Sequence, residues 1–452
     1  MNSISKSLLS ISPVDGRYSK KTTKFQEYFS EYALIKYRVY IEIKYFIALS
    51  KCSINPINKI SSKELRSVEK IIENFNEKNA LRIKEIEKNI NHDVKAVEYF
   101  LKEEFDKIGL KEYKEYIHFG LTSQDINNTA VPLMIKDSLK NIIIPSFKEV
   151  IKEINKMSVY LKDVAMIART HGQSATPTTF GKEFRVFEER LNKQLEALKN
   201  IPNNGKFGGA SGNLNAHYVS FPDIDWDNFS DTFLKSIGLK RSKPTTQIEH
   251  YDNMSAIFHN LSRLNTILID LCRDSWHYIS INYLIQKVNK KEVGSSAMPH
   301  KVNPIDFENA EGNLMYSNSQ FIFLAEKLPI SRLQRDLTDS TVSRNIGIPF
   351  AHTKIALESL IKGLNKIDVN KEVIKKDLEN NWAVVSEAIQ TILRRERIPN
   401  PYELLKNLTR GNNEITKSSI TNFIKNLPVS KSIKKELLSI TPSNYLGNAK
   451  RC

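Results

Sequence analysis

The feature that most constrains the fold is a set of long apolar stripes with helical spacing, at residues 137–163, 184–198 and 254–271. The first stripe consists of Ile143, Phe147, Val150, Ile154, Met157 and Leu161. Steps of four and three place such residues on one face of a helix, so each stripe predicts a long amphipathic helix. Stripes of this length usually pack against partner helices, which predicts a helical bundle.

The composition also favours helices over sheets. The 452 residues include only 16 glycines and 16 prolines, and neither βαβ alternation nor a solenoid repeat is recognisable in the sequence. We therefore predict an all-α fold. Irregular segments predict an N-terminal helical domain (1–110), a central helix-bundle domain (111–365) and a small C-terminal helical domain (366–452).

The cysteines and the N-terminus indicate a cytoplasmic protein. Cys52, Cys272 and Cys452 are too far apart in the sequence for a CxxC metal motif or a disulfide framework. The N-terminal segment lacks a continuous apolar run, and no stretch approaches the roughly 18 apolar residues that span a bilayer. We predict a cytoplasmic location and no membrane association.

The formal net charge of +16 fits nucleic acid, an acidic membrane surface or anionic small molecules as partners. The lysines are spread along the whole chain without a nucleic-acid motif, which favours a solvated basic surface and no nucleic-acid partner. The nine histidines are scattered, and Walker A, HExxH and dinucleotide-binding motifs are absent from the sequence. We therefore predict neither a metal nor a cofactor.

The segment with the densest chemistry is GSSAMPHKVNP, residues 294–304. It combines the hydroxyls of Ser295 and Ser296 with His300 and Lys301. Asn303, followed by proline and an acidic turn, is typical of a helix start. A helix N-terminus next to a lysine suits an anion, so the segment predicts a catalytic loop, and an ordinary loop with a helix cap is the alternative.

Two further segments place polar side chains at predicted helix boundaries. ARTHGQSATPTTFGKE (168–183) has His171 at a corner, where an exposed imidazole titrates near neutrality, and its Thr176-Pro177 pair predicts a helix start. LTSQDINN (121–128) has Thr122 three residues before Asp125, a capping-box pattern that also suits an anion. Taken alone, each segment is also explained as a helix cap without a functional role.

Three more segments give weaker signals. NHDVKAVEYF (91–100) predicts a helix start with an apolar face, in which His92 is either a surface residue or a ligand contact. SPVDGRY (12–18) places Arg17 and Tyr18 after a turn. SRLQRDLTDSTVSRN (331–345) combines arginines with nearby hydroxyls, and guanidinium groups suit phosphate.

Together these segments resemble the fumarase/aspartase superfamily, whose members eliminate fumarate from succinyl-type substrates. The Pro-His-Lys run at 299–301 and the continuation IDFEN at 305–309 resemble the bacterial branch of the adenylosuccinate lyase family, and the resemblance covers nearly the whole chain. It implies three domains with a central long-helix bundle that forms the helical core of a homotetramer, with active sites shared between subunits. It also implies an anionic nucleotide substrate: fumarate is removed from adenylosuccinate to give AMP, and from the succinyl-carboxamide ribotide SAICAR to give AICAR, in purine nucleotide biosynthesis.

The resemblance implies roles for individual residues. Ser295 is the expected base and His171 the expected acid. The expected substrate-binding residues are Arg17, Tyr18, Asn91, His92, Asp93, Thr122, Ser123, Gln247, Ser296, Lys301, Val302, Asn303, Asn309, Arg335, Ser340, Thr341, Val342, Ser343 and Arg344. Gln124 departs from the family pattern, because many relatives have glutamate at this position.

Two other functions stay open from the sequence. Another member of the superfamily, such as an argininosuccinate lyase or a fumarase, would act on a different substrate. A basic helical scaffold or nucleic-acid binder that retains an enzyme fold would bind DNA or RNA in a salt-sensitive way without releasing fumarate.

Overall fold

The computed structural model describes residues 8–287, 298, 301–409 and 415–451, and most of these residues are helical. From the N-terminus, the first helices are α1 (Ser19–Thr22), α2 (Gln26–Phe29), α3 (Glu31–Leu49), α4 (Ser62–Glu73), α5 (Glu77–Ile90), α6 (Asp93–Lys107), α7 (Ser123–Ser138) and α8 (Ile144–Tyr160). They are followed by β1 (Ala165–Thr170), β2 (Gln173–Thr179), α9 (Phe180–Asn200), β3 (Asn204–Gly205), α10 (Asn215–Ser220), α11 (Trp226–Ser236), β4 (Lys240–Arg241), α12 (Asp252–Ser280) and β5 (Leu284–Gln286). The remaining elements are α13 (Ile305–Lys327), α14 (Thr338–Ser343), α15 (Gly347–Lys366), β6 (Ile367–Val369), α16 (Lys371–Asn380), α17 (Ser386–Arg395), α18 (Pro401–Thr409), α19 (Lys417–Asn426) and α20 (Lys431–Leu438).

The predicted helical class is confirmed, and the described residues also form three two-stranded sheets. Strands β1 and β2 pair antiparallel, β3 and β4 pair parallel, and β5 and β6 pair antiparallel. The strands are too short to give an alternating pattern that could be recognised in the sequence.

The predicted apolar stripes lie on long helices. The first stripe covers the π-helical turn Leu139–Ile143 and α8, and Ile143, Phe147 and Ile154 are fully buried. The stripes at 184–198 and 254–271 lie on α9 and α12, and their apolar members are buried. No helix of the described part has both the length and the apolar content that a bilayer crossing requires.

The chain divides into two compact units, and their boundaries fall inside long helices. The first unit comprises Met1–Phe147, Gln194–Thr266 and Gly312–Leu357, and the second comprises Lys148–Lys193, Ile267–Glu311 and Glu358–Cys452. The three-domain division with boundaries near 110 and 365 stays a prediction.

The first unit has a large apolar core in which aromatic rings pack edge to face. Phe46 and Phe105 meet with ring centroids 4.8 Å apart, and Trp226 is fully buried. A buried polar network also lies in this unit, where Asn265 Nδ2 donates to the hydroxyl oxygens of Ser317 and Thr353 at 3.3 and 3.1 Å. Such a network fixes the relative register of the helices that contribute to it.

The second unit carries the β1–β2 hairpin and a separate C-terminal apolar cluster. The hairpin joins the end of α8 to the start of α9, where the Gly181 N–H donates to the Leu161 carbonyl at 3.0 Å. Arg169 on β1 forms an ion pair with Asp377 on α16 at 2.7 Å. The C-terminal cluster includes Ile389 and Ile424.

Candidate active site

The N-terminus of α7 is held in place by a buried ion pair. The Thr122 N–H donates to Asp125 Oδ2 at 2.8 Å, which confirms the predicted capping box. Asp125 Oδ1 accepts hydrogen bonds from Lys206 Nζ at 2.8 Å and from the N–H groups of Gly208 and Gly209 at 2.8 and 3.1 Å. Lys206 and Asp125 are fully buried, and burial lowers the pKa of Lys206 although the neighbouring carboxylate opposes the shift.

This arrangement leaves the start of α7 suited to an anion. Thr122 and Ser123 are partly exposed, and the first turn of a helix presents N–H groups and the positive end of the helix dipole. The charge of Asp125 is offset by Lys206 within the protein. A carboxylate that binds at the helix start would therefore not meet an uncompensated negative charge from Asp125.

His92 caps helix α6 through one ring nitrogen. The Lys95 N–H donates to His92 Nδ1 at 3.1 Å, so Nδ1 is the acceptor and the neutral ring carries its proton on Nε2. The predicted helix start is confirmed, with His92 as the residue that caps it. Asn91, with a left-handed backbone at φ 51°, ends the preceding helix α5.

Asp93 joins two arginines. Its Oδ2 accepts hydrogen bonds from Arg38 Nη2 at 2.7 Å and from Arg344 Nη2 at 3.0 Å. Arg38 is almost completely buried, and its Nε donates to Asn127 Oδ1 at 2.9 Å. Burial favours the neutral acid, but Arg38, the Val94 N–H and Arg344 outweigh burial and lower the pKa of Asp93.

Helix α14 is anchored by the buried carboxylate of Asp339. Its Oδ2 accepts hydrogen bonds from Gln124 Nε2 and from the Tyr251 hydroxyl, both at 3.1 Å. The Ser340 N–H donates to Asp339 Oδ1 at 2.7 Å. The Ser340 hydroxyl oxygen in turn accepts a hydrogen bond from Arg335 Nη2 at 2.9 Å.

A pocket of about 100 Å³ in the first unit is lined by some of these groups, namely Arg38, Gln124, Asn127, Tyr251, Asp339, Ser340 and Arg344. The predicted residues Asn91, His92, Asp93, Thr122, Ser123 and Arg335 lie outside its lining. Its two arginines are ion-paired, Arg38 and Arg344 with Asp93 and Arg344 also with Glu31. Glu31 and Asp339 add carboxylates to the lining, and Ser340 and Ser343 add hydroxyl groups. Its apolar side consists of Phe29, Leu34, Val131 and Met134. Arginine forks next to hydroxyl donors suit an oxyanion such as phosphate.

Other predicted binding residues of this unit lie outside the lining of that pocket. Thr341 and Val342 lie on α14, where Thr341 is exposed. Arg17 is exposed, and its guanidinium carbon lies 5.8 Å from the centroid of the Tyr18 ring. Gln247 Nε2 donates to a backbone carbonyl at 3.0 Å.

In the second unit, His171 lies at the tip of the β1–β2 hairpin. Thr170 pairs with Gln173, so that His171 and Gly172 form a two-residue turn with positive φ values of 52° and 74°. Hairpins favour such a turn because its twist matches that of the strands. The imidazole is exposed, and can therefore meet a ligand.

The predicted helix start at Thr176-Pro177 is wrong, because both residues belong to β2 and the helix begins at Phe180. Pro177 pairs with Ile167 next to a register shift, a position where a strand tolerates a residue without an N–H. The Thr176 hydroxyl donates to Glu387 Oε2 at 2.5 Å. A Thr-Pro pair occurs at helix starts and at strand irregularities, so the pair alone could not decide between them.

Residues 301–304, at the end of the GSSAMPHKVNP segment, lead into α13 as predicted, and the helix begins at Ile305. Lys301 and Val302 are exposed, and Asn303 is partly exposed. The Val302 carbonyl accepts a hydrogen bond from Gln286 Nε2 at 2.9 Å. Asn309 Oδ1 accepts a hydrogen bond from a serine hydroxyl on α15 at 2.8 Å. The predicted residues Ser295 and Ser296 lie outside the described residues.

Sequence reasoning missed several residues of the pocket, namely Glu31, Arg38, Asn127, Tyr251 and Asp339. The sequence could have pointed to Arg38, because Arg38 and Glu42 are the charged residues among the mostly apolar buried positions of α3. A charged residue at a core position needs a buried partner, and the partner of Arg38 is Asp93.

Comparison with known proteins agrees with these observations. Residues 16–316 match the model of a lyase family, and residues 331–446 match that of the adenylosuccinate lyase C-terminal family. The chain is 56% identical to the adenylosuccinate lyase of Dictyostelium discoideum, over 97% of both chains. It is 48% identical to that of Legionella pneumophila (strain Corby) and 44% identical to that of Escherichia coli (strain K12), each over 98% of this chain and 97% of the relative.

Solved structures share the fold. A fumarate lyase from Mesorhizobium sp. BNC1 superposes with a TM-score of 0.74 at 19% identity, covering 95% of this chain and 96% of that chain. The β-carboxy-cis,cis-muconate cycloisomerase from Acinetobacter calcoaceticus sp. ADP1 gives 0.69 at 18% identity, over 95% and 96% of the two chains. The full-length likeness to the relatives confirms the resemblance read from the motifs, and the chain belongs to the adenylosuccinate lyase family within the fumarase/aspartase superfamily.

Proposed function

We propose that this chain eliminates fumarate from adenylosuccinate to give AMP, and from SAICAR to give AICAR. The observation that carries the proposal is the 44–56% identity to adenylosuccinate lyases over nearly the whole chain. The pocket lined by Arg38, Arg344, Ser340 and Ser343 supports it, because guanidinium and hydroxyl groups can donate hydrogen bonds to the phosphate that both substrates carry.

The reaction is a β-elimination. A base takes a proton from the carbon next to a carboxylate, and the C–H electron pair becomes the second bond of the fumarate double bond. The C–N bond breaks, and an acid protonates the departing nitrogen. The site must therefore supply a base, an acid and groups that stabilise the charge that accumulates on the carboxylate.

Ser295 is the proposed base and His171 the proposed acid. A serine hydroxyl is a weak base unless its alkoxide is stabilised, and N–H donors together with Lys301 would provide that stabilisation. The exposed position of His171 at the hairpin tip supports its role, since the acid must reach the leaving nitrogen. Proton transfer of this kind typically contributes ~10²–10⁴ in rate.

The remaining predicted residues would bind the substrate. Thr122 and Ser123 would receive a carboxylate with Ser296, Lys301 and Asn303, and the accessible start of α7 supports this assignment. Arg335 and the 340–344 segment would bind the phosphate. The other proposed substrate contacts are Arg17, Tyr18, Asn91, His92, Asp93, Gln247 and Asn309.

The proposed active form is a cytoplasmic homotetramer in which each active site takes residues from three subunits. Exposed apolar side chains on α13 support an association with further copies. Met315, Tyr316, Ile322 and Phe323 are 41–51% exposed, and exposed apolar patches on helices are typical of protein interfaces.

Fumarate release from adenylosuccinate by the purified protein tests the proposed reaction, with a chelator present. Argininosuccinate and malate in parallel reactions test the other activities of the superfamily. Release from argininosuccinate or malate but not from adenylosuccinate would contradict the proposal. Salt-sensitive binding to mixed DNA or RNA without any fumarate release would favour the scaffold function.

A further inference from the structure

Two side chains donate hydrogen bonds to the hydroxyl oxygen of Ser340. Arg335 Nη2 lies 2.9 Å from Ser340 Oγ, and Gln124 Nε2 lies 3.3 Å from it. A serine hydroxyl has two acceptor lone pairs and one proton. Because the two donors occupy both lone pairs, the remaining hydrogen-bonding capacity of Ser340 is its proton. Among the residues that the structure describes, that proton has no acceptor.

The orientation of the Gln124 amide is set by Asp339. Its Oδ2 lies 3.1 Å from Gln124 Nε2 and also accepts from the Tyr251 hydroxyl. Turning the amide would place its oxygen against the acceptor-only carboxylate, which is unfavourable. Gln124 is 1% exposed, so water cannot compensate for that contact. Its second N–H therefore points to Ser340.

The donor at Ser340 faces the pocket. Ser340, Ser343, Arg344 and Gln124 all line it. A hydroxyl whose proton is directed outward binds an unprotonated oxygen and disfavours a ligand that offers an O–H or N–H at the same place.

We propose that Gln124 is a positioning residue that makes Ser340 a hydrogen-bond donor to an unprotonated phosphate oxygen of the nucleotide. The proposal rests on the proposed function, which brings a nucleotide phosphate to this pocket. Gln124 acts through Ser340, because its amide nitrogen is already bonded to Asp339 and to Ser340. When the Gln124 amide is removed, one lone pair of the Ser340 hydroxyl oxygen is free to accept another donor, and the hydroxyl proton can turn elsewhere. The phosphate must then compete for that proton.

The experiment measures binding of AMP and of adenosine, which lacks the phosphate, to the purified protein. Gln124→Met removes the amide at similar volume, and we expect AMP to bind roughly tenfold more weakly while adenosine binding changes less than about twofold. Gln124→Asn, which draws the amide nitrogen away from Ser340 but keeps a polar group beside Asp339, should give the same selective loss. This second variant keeps the test valid if the Gln124→Met protein does not fold.

Thr129→Val is the matched control. Thr129 is a buried polar residue on α7, the same helix as Gln124, and lies outside the pocket lining. Its hydroxyl donates to backbone carbonyls of its own helix at 2.7 and 2.9 Å, and its replacement leaves both contacts with Ser340 in place. The ratio of AMP to adenosine affinity should stay unchanged in this variant. A ratio that fell as far as in Gln124→Met would assign the effect to the packing of α7 and overturn the role of Gln124.

A double-mutant cycle with Ser340→Ala separates action through Ser340 from a general structural effect. In the Ser340→Ala background, Gln124→Met should weaken AMP binding by less than about twofold. An equal loss in both backgrounds would overturn the proposal, as would unchanged AMP binding in both Gln124 variants. Wild-type protein that releases no fumarate would contradict the proposed function instead, so the two failures are distinguishable.

Discussion

At the scale of single residues, the two ring nitrogens of His92 have separate tasks. Nδ1 caps α6 by accepting the Lys95 N–H, and Nε2–H is left to face a ligand. Asparagine places an oxygen near the position of Nδ1, whereas glutamine places its amide nitrogen near that of Nε2.

We expect His92→Asn to keep the cap and to lose the donor. Its stability should stay within about 0.5 kcal/mol of wild type, while KM for adenylosuccinate should rise roughly tenfold. His92→Gln should behave in the opposite way, losing about 1 kcal/mol with little change in KM. Thermal unfolding and steady-state kinetics measure both quantities, and unaltered KM in His92→Asn would contradict the assignment.

His217 predicts a pH dependence of stability. Burial lowers the pKa of His217 to about 4, with Lys206 adding to the shift and Asp125 opposing it. The unfolded chain, with a histidine pKa of about 6.5, therefore binds more protons between these two values. Stability should fall as pH decreases through this window, by up to about 3 kcal/mol below pH 4.

The midpoint of thermal unfolding, measured between pH 7 and pH 4.5, tests this expectation. His217→Gln should show a shallower decline than wild type. His259→Gln, at an exposed position, serves as the control and should follow the wild-type slope. Identical slopes for all three proteins would exclude His217 as the source.

At the scale of secondary-structure elements, the start of α9 packs against the end of α8 through Gly181. A Cβ at this position would overlap the Ser158 carbonyl oxygen and the Lys162 backbone. Gly181→Ala should therefore destabilise the protein by about 1–3 kcal/mol and lower kcat, because the two helix ends flank the hairpin that carries His171. Lys182→Ala, which leaves this contact unaltered, is the control. Wild-type kcat and unfolding temperature in Gly181→Ala would contradict the close approach.

The secondary-structure elements that could be predicted are those determined by residues close together in the sequence. Spacings within a single helix are visible in the sequence. They determine the apolar stripes on α8, α9 and α12, and the capping box of Thr122 and Asp125. The hairpin was missed because β1 and β2 are short and irregular.

Of the pocket residues, the family motifs predicted Ser340, Ser343 and Arg344. The supporting contacts of the site could not be predicted, because they join residues that are far apart in the chain. Gln124 and Ser340 are 216 positions apart, and Arg38 and Asp93 are 55 apart. Only the packing of α3, α6, α7 and α14 within the first unit brings these side chains together.

At the scale of the whole molecule, the proposed shared active sites predict complementation between inactive variants. His171→Ala and Ser295→Ala should each be inactive, because each removes one of the proposed proton-transfer groups. Mixed tetramers should regain activity in about a quarter of their sites, by random combination in a closed symmetric oligomer. The two variants would be dissociated, reassembled together and assayed for fumarate release.

Two controls complete this experiment. Mass measurement of the reassembled protein confirms that mixed tetramers have formed. Each variant reassembled alone shows the background activity. Confirmed mixed tetramers without recovered activity would mean that both residues serve the same site from one subunit, or that one of them has another role.

The two-residue turn that carries His171 also limits how the length of this chain can vary. With Thr170 paired to Gln173, one inserted residue would require a three-residue loop of different geometry, and one deleted residue would leave too few to close the hairpin. Either change would displace the imidazole. Insertions and deletions among relatives that keep this hairpin should therefore avoid residues 170–173 and accumulate in longer connections, where additional chain costs little.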